Sequence, residues 1–278
     1  MATTVLVDGL YFPEGPRWHD DRLWFSDMNA RKVMTVDLSG HLETIIPVPG
    51  SPSGLGWLPD GRLIIVSMTD RTLLRLENGK LTQVADLSNM ATYHCNDMVV
   101  DEKGRAYIGN FGFDLGYIRE VVPAEVIMVH PDGKAAVVAQ DLLFPNGTVI
   151  TPDGKTLIVA ETFGQRLTAF DILPDGMLTN RRVWAEMTGY YPDGICLDEA
   201  GGIWVASPEN HTGVLRVLEG GHITHRVRVE SNAYACMLGN DDRRTLFVLT
   251  AGAIIPQQMD AGGRIETVQV DIPGAGRP

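Results

Sequence analysis

The sequence predicts an all-β protein: one six-bladed β-propeller filling residues 1–278, with its N- and C-terminal strands closing the last blade. Three observations predict this. Six segments of similar layout begin at Phe12, Ser51, His94, Phe144, Tyr191 and, more weakly, near Ala233, a repeat of about 44 residues, the length of a four-stranded blade. Turn tokens recur inside the segments, Pro-Asp-Gly at 59–61, 131–133, 152–154 and 174–176 and Glu-Lys-Gly at 102–104, as hairpins require. Between the turns lie short runs rich in Val, Ile, Leu, Trp and Tyr, which read as strands.

The elements follow in chain order. Residues 3–10 (TTVLVDGL) alternate like a strand and are expected to pair with 264–270 (RIETVQV), joining the two ends and covering a sheet edge. The first unit splits into PRWH, RLWFSD, KVMTVDL and HLETII around a DDR turn, an MNAR loop and an SG turn. The second unit, from Ser51, repeats the scheme. The third, from HCNDMVV, carries a long loop after Gly109 with Phe111, Phe113 and Tyr117, a plausible lid on a rigid scaffold. The fourth and fifth open on FPNG and YPDG, and the sixth on AYAC. Two β-sandwiches would not explain a repeat that runs across the midpoint of the chain.

Composition bounds the function. The 278 residues are 44% hydrophobic and 21% charged, ordinary globular values. The net charge of −12 repels phosphate backbones, so no nucleic-acid partner is expected. No run of 18 apolar residues is present and the N-terminus shows no secretory pattern, so no membrane association is expected. The three cysteines, Cys95, Cys196 and Cys236, are odd in number and contain no CxxC. They read as small buried hydrophobes in a reducing, cytoplasmic protein. Nothing marks a subunit interface, and a monomer or loose homodimer is expected.

Candidate site residues come from comparing the units with one another. The third residue of each opening tetrad is Glu14, Ser53, Asn96, Asn146, Asp193 and, loosely, Tyr234. The first strand of each blade lines the channel, so these residues should form a ring. Glu14, Asn96, Asn146 and Asp193 then face one point, with Ser53 as a polar wall. Two carboxylates held together in a narrow channel repel, and burying them is costly. A divalent cation resolves both problems. An all-oxygen ring favours Ca²⁺, Mg²⁺ or Mn²⁺ over zinc; one ion is expected, calcium first, with Mg²⁺, Mn²⁺ or Zn²⁺ as alternatives.

The tetrads FPEGP, FPNG and YPDG, with the CND triplet between them, resemble the senescence-marker-protein/gluconolactonase (regucalcin-like) family from Leu10 to about Gly252. The resemblance implies a six-bladed propeller with one catalytic divalent metal, hydrolysing a lactone or related ester as its small-molecule substrate. By position it implies Glu14, Asn146 and Asp193 as metal ligands, Asn96 as a substrate- or metal-contacting residue, and Asp193 as the group that activates water. Sugar-lactone members tend to carry Arg two residues before the Asn; here that residue is His94, so no guanidinium fork grips sugar hydroxyls. With Phe111 and Phe113 nearby, this points to a more apolar or aromatic lactone or ester.

Other residues complete the expectations. His94 could donate to the leaving alkoxide. His211, in the loop SPENHTG, and Glu161 and Glu209 on corresponding loops, are candidates for substrate contact. Asp97 should point away from the channel if its strand alternates. The absence of GxSxG and of a phosphate-cradling glycine loop leaves serine-hydrolase and nucleotide chemistry without support. Two rival readings share the fold: a metal-dependent isomerase or dehydratase, and a non-catalytic binding module.

Overall fold

The computed structural model describes residues 1–117, 120–208, 213–252 and 261–275. Within them the chain forms six four-stranded sheets, and every strand pair is antiparallel. In five blades the strands follow one another in sequence order. In the sixth, Thr4–Leu10 lies outermost, beside Gly263–Gln269, Thr245–Ala251 and the inner strand Asn232–Gly239. Val5 opposes Glu266 and Val7 opposes Ile265, so the terminal strands close the ring as the sequence predicts, within a residue at each end. Among the described residues the only helix is a single 3-10 turn, Leu115–Tyr117, in the long third-blade loop.

Burial follows from stacking sheet on sheet. The second strands Leu63–Ser67, Ala106–Asn110 and Ile203–Ser207 are buried at every residue, because each is covered on both faces by neighbouring blades. They therefore read as continuous apolar runs rather than alternations. The outer strand Leu42–Pro47, with one side in solvent, is only partly covered. Blade-to-blade packing is apolar: Trp18 of the first blade stacks on Phe247 of the sixth with centroids 5.4 Å apart. Each fully buried large side chain of this kind is worth about 1.5–3 kcal/mol. All three cysteines are buried, and the Cys196 and Cys236 Sγ atoms of neighbouring inner strands lie 3.8 Å apart.

The Pro-Asp-Gly tokens are turns of the expected kind. Gly61, Gly133, Gly154 and Gly176 all have φ between 69° and 95°, a region glycine occupies without steric cost. The aspartates before them cap the next residue: Asp132 Oδ1 accepts from the Lys134 amide and Asp153 Oδ1 from the Lys155 amide, both at 3.1 Å.

The inner strands are Pro13–His19, Pro52–Trp57, Cys95–Val100, Pro145–Ile150, Ile195–Leu197 and Asn232–Gly239. Pairing slips just after the tetrad between Glu14 and Arg17, Pro52 and Leu55, Cys95 and Met98, and Pro145 and Thr148. Such a bulge bends the strand and re-aims its side chains. It is also where neighbouring inner strands touch. A Cβ on Gly54 would sit 2.4 Å from the Met98 amide nitrogen, and one on Gly147 would sit 2.5 Å from the Asp193 carbonyl oxygen. Only glycine permits that approach.

The bulge corrects one expectation. Asp97 does not turn away from the channel. Its Oδ1 accepts from Arg17 at 2.7 Å, and Arg17 lies two blades away, so the pair reaches across the channel. Arg17 also donates to the Pro16 and Met98 carbonyls. Strict alternation fails at Asn96–Asp97 because the bulge sends both residues inward.

Candidate active site

In blades one, three, four and five the loop that enters the tetrad is fastened by the far end of the second strand. Asp27 accepts from the Tyr11 and Phe12 amides at 3.0 and 2.9 Å. Glu161 Oε2 accepts from the Leu143 amide at 2.8 Å, Ser207 Oγ from the Tyr191 amide at 3.1 Å, and Asn110 Oδ1 from the Tyr93 amide at 3.4 Å. These side chains hold the backbone two or three residues before the ring position and so fix where the ring residue points.

Glu14, Asn96, Asn146 and Asp193 all line one cavity that opens to solvent. The sequence-predicted ring is thus brought together from blades one, three, four and five. Ser53 stands beside it, buried, its Oγ 3.4 Å from Asn96 Oδ1. The two amides are differently committed. Asn146 donates to Thr162 Oγ1 at 3.2 Å and to Asp193, which leaves its Oδ1 for a ligand. Asn96 accepts from Ser53 and gives one hydrogen to the Pro145 carbonyl at 3.4 Å, which leaves one amide hydrogen for a ligand.

Burial pushes the Glu14 carboxyl up to about 8, and the Asp97 charge adds to this, while the Gly15 amide and Arg17 oppose it. Burial and then the Glu14 charge push Asp193 well above the usual carboxylate range, against the Asn146 hydrogen bond. Two desolvated carboxyls facing one point without a cation are driven toward their protonated forms. The donor set, two carboxylates and the Asn146 Oδ1, fits a hard divalent cation that keeps open positions for water or substrate. Among the described residues no group of three or more His, Cys, Asp and Glu could by itself hold a metal; here an amide oxygen would be the third protein ligand.

The wall above the ring is apolar: Phe12, Met28, Phe111, Leu115, Phe144 and Tyr234. Four of these were invisible as site residues in the sequence. Phe12 and Phe144 sit at the first tetrad position, which the repeat presents as framework, and Met28 and Leu115 sit in loops with no motif. Phe144 carries φ of 62°, a conformation that costs a bulky residue about 1–3 kcal/mol. Phe113 is not in the wall but behind it, its ring 5.8 Å from Phe144 and 5.4 Å from Phe163. His94 also stands back from the cavity, stacked on Tyr93 at 4.2 Å with Phe111 at 6.1 Å on the cavity side. Burial lowers its pKa, so the imidazole is neutral at pH 7.

Glu161 is a correction. It is fully buried and paired with Arg166 at 2.9 Å and Arg181 at 3.2 Å, with Thr168 also donating to it. Its role is to fasten the fourth-blade loop, and it does not reach the cavity. His211 and Glu209 lie outside the described residues.

The channel has a second opening at the far ends of the inner strands, with Arg17, Thr148 and Arg243 among apolar neighbours. Both ring carboxylates lie at the tetrad end. No helix of the described residues is long and apolar enough to cross a membrane.

Comparison with known proteins agrees with this architecture. The family described as SMP-30/Gluconolactonase/LRE-like region matches residues 12–252. Regucalcin of Gallus gallus is 23% identical over 274 residues, covering 94% of this chain and 92% of that protein. Pentonolactonase XacC of Haloferax volcanii is 25% identical over 259 residues, covering 91% and 86%. The solved structure of a calcium-binding protein, regucalcin, from Agrobacterium tumefaciens superposes with a TM-score of 0.82 at 22% identity, over 100% of this chain and 97% of that one, and shows the same fold. The match spans the tetrads that supply all four ring residues, and the chain belongs to the SMP-30/gluconolactonase/LRE-like family.

Proposed function

We propose that this protein is a divalent-metal-dependent hydrolase of a lactone or closely related ester. One observation carries the reading: Glu14, half-buried, and Asp193, buried, face the same cavity with the Asn96 and Asn146 amides, and among the described residues no cationic side chain lines it. The pentonolactonase and gluconolactonase names among the relatives support the substrate class, and the calcium-binding neighbour supports calcium as the ion. When bound, a divalent cation polarises a carbonyl, acidifies a water and keeps Glu14 and Asp193 ionised.

The chain's own residues supply the rest. Asp193 takes the proton from the attacking water, held in place by the Asn146 amide. The free Asn96 amide hydrogen donates to the oxygen that becomes negative as water adds to the carbonyl carbon. The ring C–O bond then breaks, and the alkoxide takes the proton held by Asp193, which restores the carboxylate and leaves a hydroxy acid. Glu14 contributes charge and holds its position through the Gly15 amide, 2.9 Å away.

The test is Asp193→Asn. The isosteric amide preserves the fold and removes the base, and we expect kcat to fall by about 10²–10⁴ with the melting temperature retained. Wild-type turnover in this variant would remove the assignment.

A further inference from the structure

We infer that the mouth of the cavity is an aromatic cup that selects a lactone or ester bearing an apolar alkyl or aryl substituent, with Phe144 and Phe111 as the specificity-determining residues. This rests on the proposed hydrolase reading and adds its substrate class.

Among the described residues every wall side chain is apolar except Tyr234, whose hydroxyl donates to the Gly252 carbonyl at 2.8 Å. The polar groups of the cavity are confined to its floor, where Glu14, Asp193 and the two amides are needed by the reacting carbonyl. A polyhydroxylated ring would bring several hydroxyls against a wall whose described side chains offer them only the Tyr234 oxygen, and each unpaired buried polar group counts against binding. An alkyl or aryl substituent buries its surface on the same wall at no such cost.

Phe144 gives the second, independent observation. It and Ser51 occupy the same tetrad position in blades four and two, and both take the left-handed backbone, with φ of 62° and 61°. The turn therefore needs no aromatic ring, and serine serves it in blade two. In blade four a bulky residue is kept in a conformation that disfavours it, and its ring is presented to the cavity. That ring is fixed on three sides: stacked on Phe111 at 4.6 Å and 25°, and met by Phe113 at 5.8 Å and Phe163 at 5.4 Å. Phe111 is delivered by the third-blade loop, its amide anchored to the His94 carbonyl at 2.9 Å. Rings held this firmly offer a preformed surface with little freedom to lose on binding.

The experiment compares δ-decalactone and dihydrocoumarin with gluconolactone on the calcium-loaded protein, in wild type, Phe144→Ser and Phe111→Ala. Phe144→Ser installs the residue that blade two already uses in this turn, and Phe111 is only half-buried, so both variants should fold; melting curves check this. We expect wild type to favour the apolar lactones in kcat/KM by about tenfold or more, and each variant to cut that ratio by about tenfold, chiefly through KM. A wild-type preference for gluconolactone, or an unchanged ratio in folded variants, would overturn the cup. If no lactone is turned over, the hydrolase reading fails and binding decides separately: calorimetry with the non-hydrolysable δ-decanolactam and gluconolactam. Tighter binding of the alkyl lactam, lost in Phe144→Ser, keeps the cup; equal binding or none removes it.

Discussion

At the scale of single residues, the proposed chemistry depends on keeping Glu14 and Asp193 charged. Both pKa values are raised by burial, Glu14 to about 8 from an ordinary 4.5. A group raised in the folded state contributes stability that is full below its unfolded pKa and is lost as pH climbs through the folded one. The metal-free protein should therefore melt at a lower temperature at pH 8.5 than at pH 7. Calcium should reverse the fall, and Glu14→Gln should flatten it. Scanning calorimetry of chelator-treated protein checks the sign; a melting temperature that holds or rises over this interval contradicts it. Beneath the ring, Arg17 offsets the charge of Asp97 at 2.7 Å. Asp97 shows why one residue was misread: its placement depends on a bulge, and a bulge leaves no mark on a period-two pattern.

At the scale of elements, blades one, three, four and five each couple a second-strand terminus to the loop that carries the ring residue. Asp27, Asn110, Glu161 and Ser207 perform the same task with different chemistry. That variety hid the device in the sequence, where a lone Glu on a rim loop resembles a substrate contact. Glu161 is 0% exposed, and its bonds to Arg166 and Thr168 hold it ionised despite burial. Replacing it by Gln removes the charge facing Arg166 and Arg181, and we expect a loss of about 2–3 kcal/mol in unfolding free energy. Denaturant titration reads this, with KM and kcat moving far less than in Asp193→Asn. Phe12 and Phe144 were obscured differently. Three opening tetrads start on an aromatic ring, Phe12, Phe144 and Tyr191, which suggests framework, and only the packing shows Phe12 and Phe144 forming the wall of the cavity.

At the scale of the whole molecule, the fold was fully legible because a repeat of about 44 residues with Asp-Gly turns admits few architectures, and the terminal strands had one unpaired sheet left to complete. The ring was legible for the same reason: equivalent positions of a closed repeat converge on its axis, so the repeat alone places together four residues scattered over 180 positions of chain, from Glu14 to Asp193. The aromatic wall was only partly legible, through Phe111, because side chains from five different segments meet there. The closed ring leaves the acidic site open at the tetrad face, where loops rather than blades decide what enters. The measurement that bears most directly on the account is lactone hydrolysis by chelator-stripped protein before and after calcium is restored. We expect activity to vanish on stripping and return with about one equivalent of Ca²⁺, with no return in Asp193→Asn. Hydrolysis that persists unchanged in the stripped protein would contradict it.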